Sequence, residues 1–582
     1  MNNRHKISTL FCNKDATLFQ MYEIFEQASK DGLPAGIALV VSEDNVLVGT
    51  VTEGDIRRGL LKYNDMKTPI KHIMQNDPIC FRDYLSISEI LEKIPAELEK
   101  RNRQSKRYLG KIVLVDEEKR PTRVLDYHQL WEQKVASHRH LVVVGLGYVG
   151  LTMALVMADA GFMVTGVELD KDKVKQLNSG SSYIHELGLE DLLKENIGKN
   201  FRPVSELPEN GDVFIISVGT PVIESEGKGK TLEMRYLEDA CEKIGQKLRT
   251  GNLVILRSTV PIGTCRNFVL PKLEEISGLK CGIDFHLAFA PERTAEGKAL
   301  KELRSLPQII GGYNLDSQEA TAAIFRDLTP SLVRVDSLEV AEMAKLINNS
   351  FRDYVFAYSN QMAKIAHKFN INVVDVINAA NKDYTRNPVP LPSPGVGGPC
   401  LTKDPFIFAS VAQKFDFDES LFVNGRLINE SMHEHVANQV LKELNLIGKN
   451  PENSVVFICG LAFKGNPETG DIRSSSSIEI AEMLKGKVKE IRGFDPVALV
   501  SEIESYGIIS RTFEEGLEGA DVVMFLNNHK AFESINTFEM TRKLNENPIV
   551  YDGWNIIRKA EVLSTRPATY IGLSYRESSI RK

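Results

Sequence analysis

The chain has 582 residues, with 71 lysines and arginines against 78 aspartates and glutamates, for a formal charge of −7. That balance excludes a protein built to neutralise nucleic-acid phosphates, and the length exceeds one ordinary core, so three or four domains are expected. Seven cysteines, widely spaced and without a C-x-x-C, exclude a disulfide framework or a zinc cluster and suit a reducing compartment.

The opening MNNRHKISTLFCNKDATLF lacks the apolar run of a signal peptide, which leads to the expectation of a cytoplasmic protein without membrane or nucleic-acid partners. Residues 1–138 then hold two similar strand-turn-strand-helix units. In the first, IALVVSEDNVLVGTV precedes a helix start at TEGDIRRGLL; in the second, KIVLVDEEKRPTRVL precedes DYHQLWEQ. Thr52 and Asp55 flank a helix N-terminus, where a hydroxyl and a carboxylate three residues apart can hold a ribose or simply cap the helix. This repeat resembles a pair of cystathionine-β-synthase (CBS) modules. The resemblance implies a regulatory α+β pair binding an adenine nucleotide, with Thr52 and Asp55 as ligands. The second repeat has Leu125 and His128 at the matching positions and departs from the pattern.

After the polar linker VASHRH, short apolar strands alternate with helical sequence. HLVVVG, MVTGVEL, DVFIISVG, NLVILRS, HLAFAP and PQIIGG predict an open parallel sheet with helical crossovers over 139–335. Leu141–Ala158 runs 18 residues without a charge, long enough to suggest a membrane span, but its three glycines predict a strand, a turn and a helix instead. They form Gly145-Leu-Gly-Tyr-Val-Gly150, the spacing that lets a pyrophosphate approach backbone amides at a helix N-terminus. Glu168 ends the next strand 18 residues after Gly150, where an acid binds the ribose hydroxyls of NAD and repels the extra phosphate of NADP; Asp170 is the second candidate.

Ser217-Val-Gly-Thr-Pro221, with Thr220, and Ser258-Thr-Val-Pro-Ile-Gly-Thr264, with Thr259, follow strands at the same sheet edge and suit either ligand contact or ordinary turns. Glu292 and Glu296 in Ala290-Pro-Glu-Arg-Thr-Ala-Glu-Gly297 suit proton relay or a plain surface. A long helical pattern over the segment 336–430 carries Lys345 and Asn349 four apart on one face, as an oxyanion site or a solvated face. Its apolar positions, Val340, Met343, Ile347, Phe351, Tyr354 and Tyr358 among them, predict a hinge and dimer surface. In Pro394-Gly-Val-Gly-Gly-Pro-Cys-Leu-Thr-Lys-Asp-Pro405, Cys400 ends a glycine-rich loop beside Lys403 and Asp404, a setting that suits a nucleophile. SVVFICG, EIRGFDP, ADVVMFLN and PIVYDG predict a second α/β domain over 431–582, and the pairs His433/His435 and His138/His140 read as surface histidines with no metal implied.

Taken in order, GLGYVG, SVGTP, STVPIGT, APER…EG, Glu342-x-x-Lys345-x-x-x-Asn349, GVGGPCLTKDP and Phe463-Lys-Gly…Asp471-Ile-Arg473 closely resemble the UDP-glucose/GDP-mannose dehydrogenase family over about 140–575. The resemblance implies two Rossmann-like doubly wound domains joined by a helical, dimerising segment, and oxidation of a sugar C6 alcohol to the acid with NAD as cofactor. It implies that Gly145, Gly147, Tyr148, Val149, Gly150, Glu168, Thr220 and Thr259 bind the cofactor. Cys400 becomes the nucleophile, with Thr259, Glu292, Glu296, Lys345, Asn349 and Asp404 handling water and charge. Lys345, Asn349, Gly397, Lys464 and Arg473 contact the UDP-sugar. Removing four electrons needs two NAD⁺, and a cysteine thiohemiacetal followed by a thioester links the two steps; Lys403 and the amides of Gly397 and Gly398 are expected to favour the thiolate.

Pro291-Glu-Arg293 and Asp404-Pro405 resemble members acting on UDP-N-acetylhexosamines, whereas Lys403 resembles UDP-glucose and GDP-mannose enzymes. The expectation is a UDP-N-acetylmannosamine or glucosamine 6-dehydrogenase supplying a surface polysaccharide, with UDP-glucose the alternative substrate. An inactive nucleotide sensor and a two-electron hydroxy-acid dehydrogenase are the readings from other classes; neither needs Cys400 as a nucleophile.

Overall fold

The computed structural model describes residues 7–30, 33, 36–85, 90, 93–94, 97, 100, 111–126, 139–225 and 229–580. At the N-terminus, β1 (Phe11–Cys12), β2 (Ile37–Val41) and β3 (Leu47–Thr52) form one sheet, and β4 (Cys80–Arg82), β5 (Lys111–Val115) and β6 (Pro121–Asp126) another. In each, the first strand pairs parallel with the second and the second antiparallel with the third. Both middle strands shift register at the same point, Val40/Val41 and Leu114/Val115. The repeat is thus carried into backbone detail. Leu39 of the first sheet and Val113, Val115 and Val124 of the second share one core, so neither unit buries its apolar face alone. Two helices belong to the first unit, α1 (Leu18–Lys30) and α2 (Glu53–Tyr63). His128 and most of DYHQLWEQ lie outside the described residues.

The first α/β unit holds β7 (His140–Val144), α3 (Tyr148–Asp159), β8 (Met163–Val167), α4 (Lys171–Asn178), β9 (Phe201–Val204) and β10 (Val213–Ile216). A hairpin of β11 (Val222–Ser225) and β12 (Gly229–Leu232) follows, then β13 (Leu253–Leu256), β14 (His286–Phe289), β15 (Gln308–Gly312) and β16 (Leu332–Val335). The sheet order is β9-β8-β7-β10-β13-β14-β15-β16, and the first six strands are parallel in the Rossmann order. PQIIGG departs from the all-parallel expectation, since β15 runs antiparallel to β14. The connection between them carries only the five-residue helix Ala299–Leu303, and the chain turns back rather than crossing the sheet.

β7 is apolar throughout because both its faces are covered: Leu141 and Val143 enter one core, Val142 and Val144 the other. The uncharged stretch beyond it is α3, buried on all sides from Gly150 to Ala158. Each fully buried Leu or Met there contributes about 1.5–3 kcal/mol. Among the described residues no helix is long and apolar enough to cross a membrane.

α5 (Leu338–Lys368) links the two α/β units and packs along α6 (Asp404–Lys414) and α7 (Ser420–Leu446). α7 continues past residue 430 and also packs on α8 (Ser476–Leu484) of the second unit. There β17 (Val455–Cys459), β18 (Glu490–Phe494), β19 (Ile509–Ser510), β20 (Val522–Phe525), β21 (Ile549–Asp552) and β22 (Thr569–Gly572) repeat the Rossmann order, with β23 (Arg576–Ser578) antiparallel at the edge.

α5 is amphipathic in the reverse sense. Glu342, Lys345, Ser350, Asp353, Ser359 and Asn360 are buried, while Val340, Met343, Ile347, Phe351, Tyr354 and Tyr358 are exposed. The buried charges are answered by contacts. Arg426 of α7, fully buried, donates from Nη1 to Asp353 Oδ1 at 2.8 Å and to the Leu401 carbonyl at 3.2 Å, and from Nη2 to the Val396 carbonyl at 2.7 Å. Asn429 donates to Asp353 as well, at 2.9 Å.

Replacing Arg426 with Met strands a buried carboxylate and two carbonyls, and is expected to destabilise the dehydrogenase body by about 3–5 kcal/mol. The double variant Arg426→Met/Asp353→Leu should recover part of that loss because the orphan charge is gone. Calorimetry of the two variants checks this, and a single variant that melts with the parent contradicts it.

Candidate active site

Four loops, following β7, β10, β13 and β14, gather at the carboxyl edge of the first sheet, where the strand order reverses between β7 and β10. Gly145 has φ +90°, and a Cβ on it would lie 2.9 Å from the Ser217 carbonyl oxygen; one on Gly150 would lie 1.8 Å from the Gly145 oxygen. These two glycines are required by packing. Gly147 has no atom within 4 Å of a built Cβ, so the space before the N-terminus of α3 is open. The first amides of α3, on Tyr148, Val149 and Gly150, have no acceptor within the helix, which suits an anion.

Glu168 lies just past β8, accepting from the amides of Leu146 at 3.3 Å and Asp170 at 3.2 Å. Asp170 instead caps α4 through the amides of Asp172 and Lys173, which leaves Glu168 as the acid facing the glycine loop. The residues present fit a dinucleotide with free ribose hydroxyls. Thr220, buried, donates to the Thr259 carbonyl at 2.7 Å and so joins the second and third loops.

The buried face of α5 meets these loops one after another. Glu342 accepts from the amides of Gly263 at 2.5 Å and Cys265 at 2.8 Å, fixing the turn after Thr259. Lys345 donates to the Glu292 carbonyl at 2.5 Å, and its Nζ lies 3.8 Å from the Glu292 carboxylate. Asn349 donates to Asp404 Oδ2, and Lys403 donates to Asp404 Oδ1 at 2.8 Å. Asp404, wholly buried at the start of α6, donates its own amide to the Cys400 carbonyl at 2.9 Å. Residues far apart in sequence, Glu292, Lys345, Asn349, Cys400 and Asp404, therefore share one site.

Cys400 is reached by solvent, but protein crowds the sulfur. Burial, followed by the Asp404 carboxylate, pushes the thiol up to about 11, although Lys345 and Lys403 pull it down. This corrects the expectation of a depressed thiol. Lys403 is spent on Asp404, and the Gly398 amide is spent on the Ser474 carbonyl at 3.0 Å. Burial also disfavours the Lys345 ammonium, yet Glu292, Cys400 and Asp404 outweigh it and hold Lys345 above its ordinary value.

A seam with the second α/β unit closes the site. Lys464 donates to the Glu296 carbonyl at 2.7 Å, and Thr469 to the Glu296 carboxylate at 3.3 Å. Burial, then Asp471, raises Glu296 to about 7 against the pull of Lys464 and Arg473. Arg473 forks onto Asp471, with Nε 2.9 Å from Oδ1 and Nη2 2.5 Å from Oδ2. Gly397 presses against the same segment: a Cβ there would lie 2.4 Å from the Ser474 oxygen.

The histidine expectation needs correction in part. His433 is buried and His435 half-buried, its Nε2 3.2 Å from the Leu573 carbonyl; burial lowers both to about 4, because α7 turns them into the core against α5 and the second sheet. His140 is half-buried, with Nε2 2.8 Å from Thr165 Oγ1, and His138 lies outside the described residues. Among the described residues no three His, Cys, Asp or Glu side chains form a metal site. At the N-terminus, Thr52 and Asp55 make a reciprocal capping box, and Asp55 also accepts from Arg58 at 2.7 Å and Gln75 at 3.3 Å. Leu125 packs against the core of the second repeat. Sequence reasoning missed Arg426 and Asp353, since no spacing marks a contact between two helices.

Comparison with known proteins agrees with this arrangement. Residues 139–329 match the NAD binding domain of the UDP-glucose/GDP-mannose dehydrogenase family, 339–431 its central domain and 457–559 its UDP binding domain; residues 7–62 match a CBS domain. The chain is 33% identical over 425 residues to a UDP-N-acetyl-D-mannosamine dehydrogenase of Pyrococcus horikoshii, covering 72% of this chain and 97% of that protein. It is 34% identical over 422 residues to one of Methanococcus maripaludis, covering 72% and 93%. Among solved structures, the Pyrococcus horikoshii dehydrogenase superposes with a TM-score of 0.66 at 31% identity, over 75% of this chain and 99% of that one. The UDP-N-acetyl-mannosamine dehydrogenase of Staphylococcus aureus gives 0.64 at 30%, over 75% and 98%.

Alkylation of Cys400 by iodoacetamide, followed by mass spectrometry of its peptide, should accelerate with pH toward a midpoint near 11 in the ligand-free protein. Lys345→Met should move the midpoint up and Asp404→Asn down. A parent midpoint at or below about 8.5, the range of an unperturbed or activated thiol, contradicts the assignment.

Proposed function

Because the chain belongs to the UDP-glucose/GDP-mannose dehydrogenase family, we propose that it oxidises C6 of a UDP-N-acetylhexosamine, of the mannosamine or glucosamine type, to the carboxylate. It is an NAD-dependent nucleotide-sugar dehydrogenase. The choice of sugar is supported by the names of its relatives and by Pro291-Glu-Arg293 and Asp404-Pro405. Lys403 keeps UDP-glucose as the second substrate to test. The observation that carries the reading is the convergence of Cys400, Lys345, Asn349 and Asp404 on one another.

The glycine loop and Glu168 would hold NAD⁺, which would supply the acceptor for one hydride at a time; converting CH₂OH to COO⁻ thus needs two NAD⁺ and one water and releases two NADH and three protons. Between the two oxidations the C6 aldehyde is retained by Cys400. Its sulfur bonds to C6 while the thiol proton leaves toward Asp404 and the aldehyde oxygen is stabilised by Lys345 and Asn349. A thiol pushed up by burial is not a resting thiolate, so proton removal accompanies attack. The second oxidation leaves a thioester. Water, held by Thr259 and Glu292 and deprotonated by Glu296, adds to its carbonyl; the C–S bond breaks, and the sulfur regains its proton. Glu296, raised to about 7, is protonated below that value, so this step slows as the pH falls through neutrality. Lys464, Arg473 and Gly397 line the side on which the nucleotide sugar lies.

The product is a uronic acid donor for a surface polysaccharide. The N-terminal pair acts as a switch that binds an adenine nucleotide at Thr52 and Asp55, which requires the ligand to compete with the capping box. The exposed stripe of α5, from Val340 through Phe351 to Tyr358, seats a second copy of the chain, since apolar residues recurring along one helix face in water mark an interaction surface.

Limiting UDP-N-acetylmannosamine with excess NAD⁺ should yield two NADH per sugar, and Cys400→Ser should lower overall turnover by at least about a thousand-fold while still binding both ligands. One NADH per sugar, or a serine variant at the parental rate, removes the thioester route. Adding AMP or ATP to the same assay tests the switch, which a rate indifferent to both would exclude. Phe351→Asp should shift the mass in solution toward the monomer by light scattering; an unchanged mass sinks the interface.

A further inference from the structure

Glu186 has no part in the reaction as described, yet it is buried beside two of its loops. Its Oε2 accepts from the Tyr148 hydroxyl and, at 2.6 Å, from the Gly297 amide; its Oε1 accepts from the Ala299 amide at 2.9 Å. Tyr148 is the first residue of α3, within the glycine loop, and Gly297 follows Glu296 directly. The Gly297 amide also lies 3.2 Å from the Tyr148 hydroxyl, so the three groups close on one another. On its other side the same turn is blocked. Gly297 has φ +80°, a Cβ on it would lie 2.4 Å from the Glu468 carbonyl oxygen, and Lys464 and Thr469 hold Glu296 itself.

We propose that Glu186 is a positioning residue that ties the cofactor loop to the Glu296 turn, so that cofactor binding and the placement of Glu296 depend on one carboxylate. This rests on the reading above of the glycine loop and of Glu296. An ionised carboxylate is an acceptor only, which matches three donors arriving from two loops. Glutamine in its place turns an NH₂ donor against the Gly297 amide or the Ala299 amide and leaves that amide unsatisfied. Glu296 is faced by Asp471, Lys464, Arg473 and Thr469 from the second unit and by Tyr148 from the first. A turn released from Glu186 admits water to Glu296 and weakens the desolvation that raises it.

The test uses the full chain as Glu186→Gln, Tyr148→Phe and Glu186→Asp, with two readouts: NAD⁺ binding by calorimetry without sugar, and the pH midpoint of kcat/KM. Loss of one hydrogen bond to a charged group predicts roughly ten-fold weaker NAD⁺ binding in the first two variants. Their acid midpoint should fall from near 7 toward the ordinary carboxylate range, and Glu186→Asp should restore part of both. A folded Glu186→Gln or Tyr148→Phe protein with parental NAD⁺ affinity and midpoint overturns the proposal. Should Glu186→Gln fail to fold, Tyr148→Phe decides alone, because it removes only a hydroxyl. If the parent shows no midpoint that Glu296→Gln abolishes, the role given to Glu296 fails, and NAD⁺ affinity then decides the role of Glu186.

Discussion

Arg426 has no access to water and answers three groups at once: the Asp353 carboxylate and the carbonyls of Val396 and Leu401. Those carbonyls bracket the loop that ends in Cys400, so the position of the sulfur depends on a guanidinium held by the middle of α5. Burial costs both charges, and the compensation is directional hydrogen bonding rather than net attraction. Such a pair contributes geometry more than stability. A sulfur proposed as the nucleophile on a glycine-rich loop needs a fixed frame, and here a buried fork supplies it.

The same logic runs along the whole inner face of α5. Glu342 fixes the turn after Thr259, Lys345 meets Glu292, Asn349 meets Asp404, Asp353 meets Arg426, and Asn360 accepts from the Ser393 amide at 2.9 Å. Residues at three-, four- and seven-residue steps lie on one side of a helix, so one rigid rod sets the relative positions of the loops after β13 and β14, both ends of the Cys400 loop, and α7. A helix that turns its polar side inward leaves its apolar side outward, and the exposed stripe follows directly from the building of the site.

Burial acts on the site in both directions. It pushes the Cys400 thiol and the Glu296 carboxyl up together, while at Lys345 the neighbouring Glu292, Cys400 and Asp404 outweigh it and hold the ammonium above its ordinary value. The arrangement suits chemistry in which protons move with bond formation, with a permanent cation beside the developing oxyanion. It also makes the seam with the second unit chemically significant. There Asp471 adds to the burial that raises Glu296, while Lys464, Arg473 and Thr469 oppose it.

The glycine fingerprint, the central strands of both sheets, the CBS-like repeat and the succession of motifs were legible in the chain, whereas β9, β16, β19, β22 and β23 were not named from it. Each depends on local spacing or on a run of apolar residues covered from both sides, as in β7. The residues that gather around Cys400 were named from the chain too, but only because the motifs resemble a family; the spacing of Lys345 and Asn349 fits a solvated face equally well. What the linear order could not decide was charge and orientation. The rise of the thiol, the use of Lys403 and the Gly398 amide elsewhere, the burial of His433, the reversal of β15 and the roles of Arg426 and Glu186 all depend on groups brought together from distant parts of the chain. Periodicity is a property of neighbours in sequence, whereas desolvation and hydrogen-bond partnership belong to neighbours in space.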